Sequence, residues 1–116
     1  MAAGQADPEV KHRRELRKRL GEEAVRTAIE RVRGEPLSGF ASRRGDWGRS
    51  MYLWAVRRYC GLTLREAGQC VGGMKHSTVD MAVRRWRELS AGDADMKRRH
   101  EKLLRLIENM NWKLEG

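Results

Sequence analysis

Two adjacent glycines, Gly72 and Gly73, separate a short segment that opens like a helix from a longer one with a helical apolar repeat. A tight reversal at such a junction needs backbone angles that side chains with a Cβ resist and glycine adopts freely. Downstream, Val79, Ala82, Val83, Trp86 and Leu89 recur in steps of three and four, which gathers them on one helix face. Ser77, Met81, Arg84 and Arg85 fall on the opposite side, with Asp80 and Arg87 on its flanks. Upstream, Thr63-Leu64-Arg65-Glu66 is a capping box, opening a helix predicted to end near Val71. A short helix, a glycine turn and a second helix with polar side chains at its tip is the layout of a helix-turn-helix DNA reader.

These residues also resemble a known family. From about Met51 to Leu89 the chain is similar to the C-terminal, origin-box-binding domain of the bacterial replication initiator DnaA. Leu64 to Gly68 follows that family's leucine-x-glutamate-hydrophobic-glycine pattern, with Ala67 in place of a larger aliphatic residue. Gly72-Gly73 and His76-Ser77-Thr78-Val79 match its turn and the start of its recognition helix. The run Arg43-Arg44-Gly45-Asp46-Trp47-Gly48-Arg49 is closer still to the DnaA-like domain appended to some REP-associated tyrosine transposases. Together the similarity covers roughly residues 41–110.

The helix starts and stops along the chain read as all-α with five to six helices, and the resemblance implies a helix-turn-helix fold of the DnaA C-terminal or Trp-repressor-like type. It further implies sequence-specific binding of double-stranded DNA by a monomer on an asymmetric site. The associated process would be transposition, with a transposase as partner, and this module would carry no catalytic centre. A stand-alone regulator or an origin binder working with replication proteins is the alternative within the same class. Met74 and Lys75 stand where the initiator family has arginine then aspartate, so a different base is expected at the position they read.

Composition points the same way. With 116 residues, 40% of them hydrophobic, the chain suffices for one domain around a modest core. Its 25 Lys plus Arg against 16 Asp plus Glu leave a formal net charge of +9, which favours polyanionic partners. A membrane is the weaker choice, because no apolar run approaches bilayer length and the basic stretches lack bulky apolar faces. Met1-Ala2-Ala3-Gly4-Gln5 lacks the apolar core of a signal peptide, so a cytoplasmic, nucleoid-associated location is expected. Cys60 and Cys70 end consecutive predicted helices and read as small buried thiols of a reducing compartment. Zinc needs four suitably spaced ligands, and His12, His76 and His100 are badly placed, so neither metal nor cofactor is expected.

Along the chain, residues 1–8 read as a disordered N-terminus and residues 9–40 as a helical extension. The extension begins with a basic helix through Lys11, Arg13, Arg14, Arg17, Lys18 and Arg19, with Val10, Leu16 and Leu20 as a thin apolar side. A second helix starts at Gly21-Glu22-Glu23, buries Ala24, Val25, Ala28, Ile29 and Val32, and stops at Gly34-Glu35-Pro36. Residues 37–45 read as a loop. The DNA-binding domain proper spans 41–112. In it Asp46 caps a helix running to about Cys60, with Met51, Trp54, Ala55 and Tyr59 inward and Arg57 and Arg58 in water. Ala91-Gly92 is expected to break the recognition helix, and Asp93 to cap a last helix seamed by Met96, His100, Leu103, Ile107 and Met110.

Each candidate contact has a plainer reading beside it. Lys75 at a helix N-terminus is electrostatically misplaced unless an anion arrives; otherwise it points into solvent. His76 suits a base edge or phosphate, or packs locally as a cap. Ser77 suits a base edge, and Thr78 a phosphate, a thymine methyl or a partly buried spacer. Arg43, Arg44 and Arg49 suit the backbone or a narrow minor groove, as the resembling families' basic loop does, or form a solvated face. Arg84 and Arg85 lie further along and suit phosphates. Trp47 anchors the loop on the core or stacks on sugar, and His100 reads as a core residue.

Two other function classes compete. A tyrosine transposase needs a His-hydrophobic-His metal pair and a nucleophilic tyrosine; the chain has no such pair, and Tyr52 and Tyr59 sit on a core-building helix. No P-loop or paired catalytic acids occur either. A basic RNA- or protein-binding adaptor has no need of hydroxyl side chains at a helix tip, and RNA modules offer aromatic stacking platforms that are missing here.

Overall fold

In the computed structural model, which describes the backbone of residues 20–115 and the side chains of residues 20–110, six helices and no strand occur among the described residues. They are α1 (Glu22–Arg33), α2 (Leu37–Phe40), α3 (Trp47–Tyr59), α4 (Leu64–Cys70), α5 (His76–Gly92) and α6 (Ala94–Glu115). The fold is all-α. The disordered N-terminus and the basic helix through Lys11–Arg19 lie outside the described residues.

Local chemistry sets most helix ends. Glu22 and Glu23 in the first turn of α1 and Arg31 and Arg33 in its last suit the helix dipole, and Gly34 closes it. Asp46 caps α3, its carboxylate accepting from the Gly48 N–H at 2.7 Å. The capping box of α4 is complete: Glu66 N–H donates to Thr63 Oγ1 at 3.1 Å and Thr63 N–H to Glu66 Oε1 at 2.9 Å.

Four details differ from the sequence reading. Residues 37–45 are not all loop, because Leu37 and Phe40 bury one turn apart and make α2, with the Glu30 carboxylate accepting from the Leu37 N–H at 2.7 Å. On α3, Tyr52, Leu53 and Val56 are fully buried with Met51 and Ala55, whereas Trp54 and Tyr59 are only half-buried. Helix α5 does not break at Ala91-Gly92 but continues through Gly92. Only Asp93 separates it from α6, and the Asp93 carboxylate accepts from Met96 N–H at 3.1 Å. Cys60 is buried as expected, but Cys70 is exposed at the C-terminal end of α4, while Ala67 and Gly68 of that helix are buried. Burial, then Glu22 and Cys70, push the Cys60 thiol up to about 11.

One hydrophobic core joins all of this, from Leu20, Val25, Ala28 and Ile29 through Met51, Tyr52 and Leu53 to Trp86, Leu103 and Ile107. Burying an Ile, Leu or Met side chain such as Ile29, Met51, Leu53 or Leu103 contributes roughly 1.5–3 kcal/mol relative to exposure. Helix α3 lies centrally, against α1, α2, α4 and α5, while α6 closes over α1 and α5. Leu20 ties the start of the described chain to this centre through its N–H, which donates to the Tyr59 carbonyl at 2.8 Å.

Candidate nucleic-acid interface

The connection between α4 and α5 hangs on one carbonyl. Gly68 C=O accepts from the N–H groups of Gly73 at 2.9 Å, Met74 at 3.0 Å and Val71 at 3.2 Å. The chain turns so tightly that a Cβ on Gly68 would lie 2.2 Å from the Met74 carbonyl oxygen. Gly72 and Gly73, at φ 91° and 90°, occupy the left-handed region, as the reversal requires.

Helix α5 then starts without a capping side chain. Lys75 holds the N-cap position in extended backbone, its carbonyl accepting from Val79 N–H at 3.0 Å, and no side chain bonds the first-turn N–H groups. These donors and the positive end of the helix dipole therefore face outward beside a lysine, an arrangement that suits an anion. Lys75, His76, Ser77 and Thr78 are all exposed, while Val79, Val83 and Trp86 of the same helix are buried. His76 is thus not a cap, and Thr78 is not a buried spacer.

The outward face continues through Ser77, Met81, Arg84 and Arg85 to Glu88, where its charge turns negative. Arg84 pairs on the surface with Asp80 at 3.1 Å, a contact of little net energy. Arg85 forms no salt bridge among the described residues. Its Nη1 lies 3.4 Å from where a Cβ on Gly45 would be, so the basic loop before α3 runs alongside α5.

The three loop arginines are not equivalent. Arg43 is held by Glu35 at 2.7 Å and lies 3.7 Å from Asp46. Arg44 is exposed and Arg49 half-buried, and neither forms a salt bridge among the described residues. Trp47 anchors the loop: its ring stacks on Trp86 with centroids 6.3 Å apart, and the guanidinium groups of Arg33 and Arg99 lie over it at 4.6 Å and 4.9 Å. Arg33 in turn pairs with Asp46 at 2.8 Å, locking the cap of α3 to the end of α1.

Behind α5, Trp86 Nε1 donates to His100 Nδ1 at 3.0 Å, and the imidazole also meets Trp54 edge-on at 4.8 Å. The accepting nitrogen must be unprotonated, and burial lowers the pKa of His100 from its usual 6.5, with Glu101 opposing. The folded state thus binds the proton more weakly than the unfolded chain. The contribution of His100 to stability is full above about pH 6.5 and declines as pH falls below it. Thermal unfolding midpoints should fall between pH 7 and pH 5, and fall less in His100→Gln, whose amide oxygen still accepts from Trp86. Parallel curves for the two proteins would remove His100 as the source.

Two basic features escaped the sequence reading. Arg65 and Gln69, one turn apart on α4, line a surface groove with Gly73, Met74, Lys75 and His76. Their spacing after the capping box already places them on one face. A second cleft, with Trp54, Leu62 and Val83 among its lining, carries Arg57, Arg58 and Arg87 together with Asp80. The tyrosine hydroxyls are poorly disposed for attack: Tyr52 is buried and donates to Glu22 Oε2 at 2.6 Å, and burial raises the pKa of both Tyr52 and Tyr59. Among the described residues no group of three His, Cys, Asp or Glu side chains is placed to hold a metal ion. Nor is any described helix long and apolar enough to cross a membrane. No known protein family, curated protein or solved structure matches the chain.

Proposed function

We propose that α4, the glycine turn and α5 form a helix-turn-helix of the DnaA C-terminal type that binds double-stranded DNA sequence-specifically. In this reading α5 enters the major groove, Lys75, His76 and Ser77 reach base edges, and Thr78 meets a phosphate or a thymine methyl. Arg44, Arg49, Arg84 and Arg85 grip the backbone, and Arg43 does so only by leaving Glu35. The role is that of a targeting module for a transposase-related process, without a catalytic centre of its own, acting as a monomer. The observation that carries this is the tip of α5: uncapped by any side chain, exposed, and furnished with a lysine, a histidine and two hydroxyls.

Selection of bound duplexes from a random library, repeated at two salt concentrations, tests it. A defined site should emerge, and B-form DNA should bind better than single strands or duplex RNA of the same sequence, since only its major groove admits a helix. Affinity should fall with salt at a logarithmic slope of roughly −0.9 per phosphate neutralised, and each of Arg44→Ala, Arg49→Ala and Arg85→Ala should flatten it by about one unit. Equal binding of all three nucleic acids would leave a nonspecific basic adaptor instead.

Lys75 gives a sharper outcome. A lysine at this tip prefers guanine acceptors or phosphate, whereas an aspartate accepts from cytosine. Lys75→Asp should therefore change the preferred base at one position rather than weaken every duplex. Identical selected sites for the two proteins would assign Lys75 to phosphate or solvent.

A further inference from the structure

Met81 is 69% exposed, and it is the one exposed large hydrophobic residue among the described residues. A single surface methionine ordinarily calls for no explanation. Its position does. It lies one turn beyond Ser77 on the outward face of α5, followed by Arg84 and Arg85 and opposite the buried stripe of Val79, Val83 and Trp86. Every other side chain around it on that face is polar or charged, so nothing apolar in the fold covers it. A flexible, unbranched thioether costs little to reorient against whatever apolar surface approaches. In a major groove the apolar feature presented at the floor is the C5-methyl group of thymine.

We infer that Met81 is a specificity-determining residue that reads a thymine methyl group in the bound duplex. The inference rests on the proposed DNA-binding role of α5 and deepens it. Four residues of helix advance about 6 Å, and base pairs stack about 3.4 Å apart, so the thymine lies within about two base pairs of the pair that Ser77 contacts. The contact is purely apolar and leaves no donor or acceptor unpaired when lost, in contrast to those of Lys75, His76 and Ser77. Replacing that thymine by deoxyuridine removes one methyl group and nothing else, which should weaken binding about fourfold.

The experiment uses the full chain and the duplex obtained by selection. Each thymine is replaced in turn by deoxyuridine, and binding is measured by fluorescence anisotropy for wild type and Met81→Ala. Because Met81 is exposed, Met81→Ala should keep the wild-type circular dichroism and unfolding midpoint. Wild type should lose about fourfold at one thymine, or at two neighbouring ones, and Met81→Ala should bind the thymine and deoxyuridine duplexes equally there. At a selected position changed to cytosine, 5-methylcytosine should restore part of the wild-type affinity and none of the variant's. Deoxyuridine effects of the same size in both proteins would overturn the role of Met81 while leaving the DNA-binding reading intact. Uniform weakening of all duplexes by Met81→Ala would do the same. Failure to select any site would overturn the DNA-binding reading, and the inference about Met81 with it.

Discussion

Trp86→Ala should destabilise the protein by about 3–5 kcal/mol, the range for removing a buried tryptophan. The indole is fully buried, stacks on Trp47 and donates to His100, so one truncation opens a cavity and releases two further side chains. Small domains hold only about 5–15 kcal/mol in total, so the variant should be close to unfolded at moderate temperature. Trp86→Phe separates the contributions. It keeps most of the apolar volume and loses the hydrogen bond, which is worth about 0.5–1.5 kcal/mol. Chemical denaturation measures both, and a Trp86→Ala cost below about 1 kcal/mol would be incompatible with an indole at the centre of the core. Under the proposed DNA-binding role, affinity should fall with the folded fraction, because the same ring supports α5 from behind and the basic loop through Trp47.

Gly68→Ala should reverse the sign normally expected of its substitution. Glycine to alanine in an exposed helix stabilises by about 1 kcal/mol. At Gly68 the new Cβ would lie 2.2 Å from the Met74 carbonyl oxygen, a backbone atom with no freedom to swing aside. Either α4 shifts away or the turn opens, at an overpacking cost of about 1–3 kcal/mol. An open turn also weakens the three hydrogen bonds that converge on Gly68 C=O, and it displaces the start of α5. Under the proposed DNA-binding role, site selectivity should therefore suffer as well as stability. Gly73→Ala makes the contrast: a Cβ there meets no atom within 4 Å, and its penalty is the left-handed backbone alone, about 1–2 kcal/mol. If Gly68→Ala proved as stable and as selective as wild type, the turn would not be held by that close approach.

Where the fold was legible in the residues, the signals were short-range. The Thr63–Glu66 capping box, the Asp46 cap and the paired glycines each act within a few residues, and all three stand in the structure as read. The stripe of α5 was legible because one face meets the core and the other meets water. Helix α3 has no such one-sided stripe. It is surrounded by four other helices, so apolar residues occur nearly all round it, and Tyr52, Leu53 and Val56 carry no one-sided period. Helix α2 is too short to show a period at all. Among the candidate contacts, the chain order could not separate Arg43 from Arg44, because what holds Arg43 is Glu35, brought back by α2. Position at a helix start marked out Lys75 to Thr78 in the sequence; it left aside Arg65 and Gln69, whose relevance comes from the groove that the turn makes with α4.

The way α1 and α6 both pack on the central helices fixes where the chain can be cut. A fragment trimmed to the candidate recognition segment, residues 63–92, would keep Trp86 and Val83 but lose Met51, Leu53, Leu103 and Ile107, and with them the surfaces that shelter the α5 stripe. Trimming at residue 41 would strip Val25, Ala28, Ile29, Leu37 and Phe40 from the same interior. Among the described residues, the core that supports α5 runs from Leu20 to Ile107, with Met110 packed against it, so the exposed tip of α5 depends on segments far outside it in the chain. Any transplant of α5 onto another scaffold must supply a replacement for the packing of both of those flanking helices.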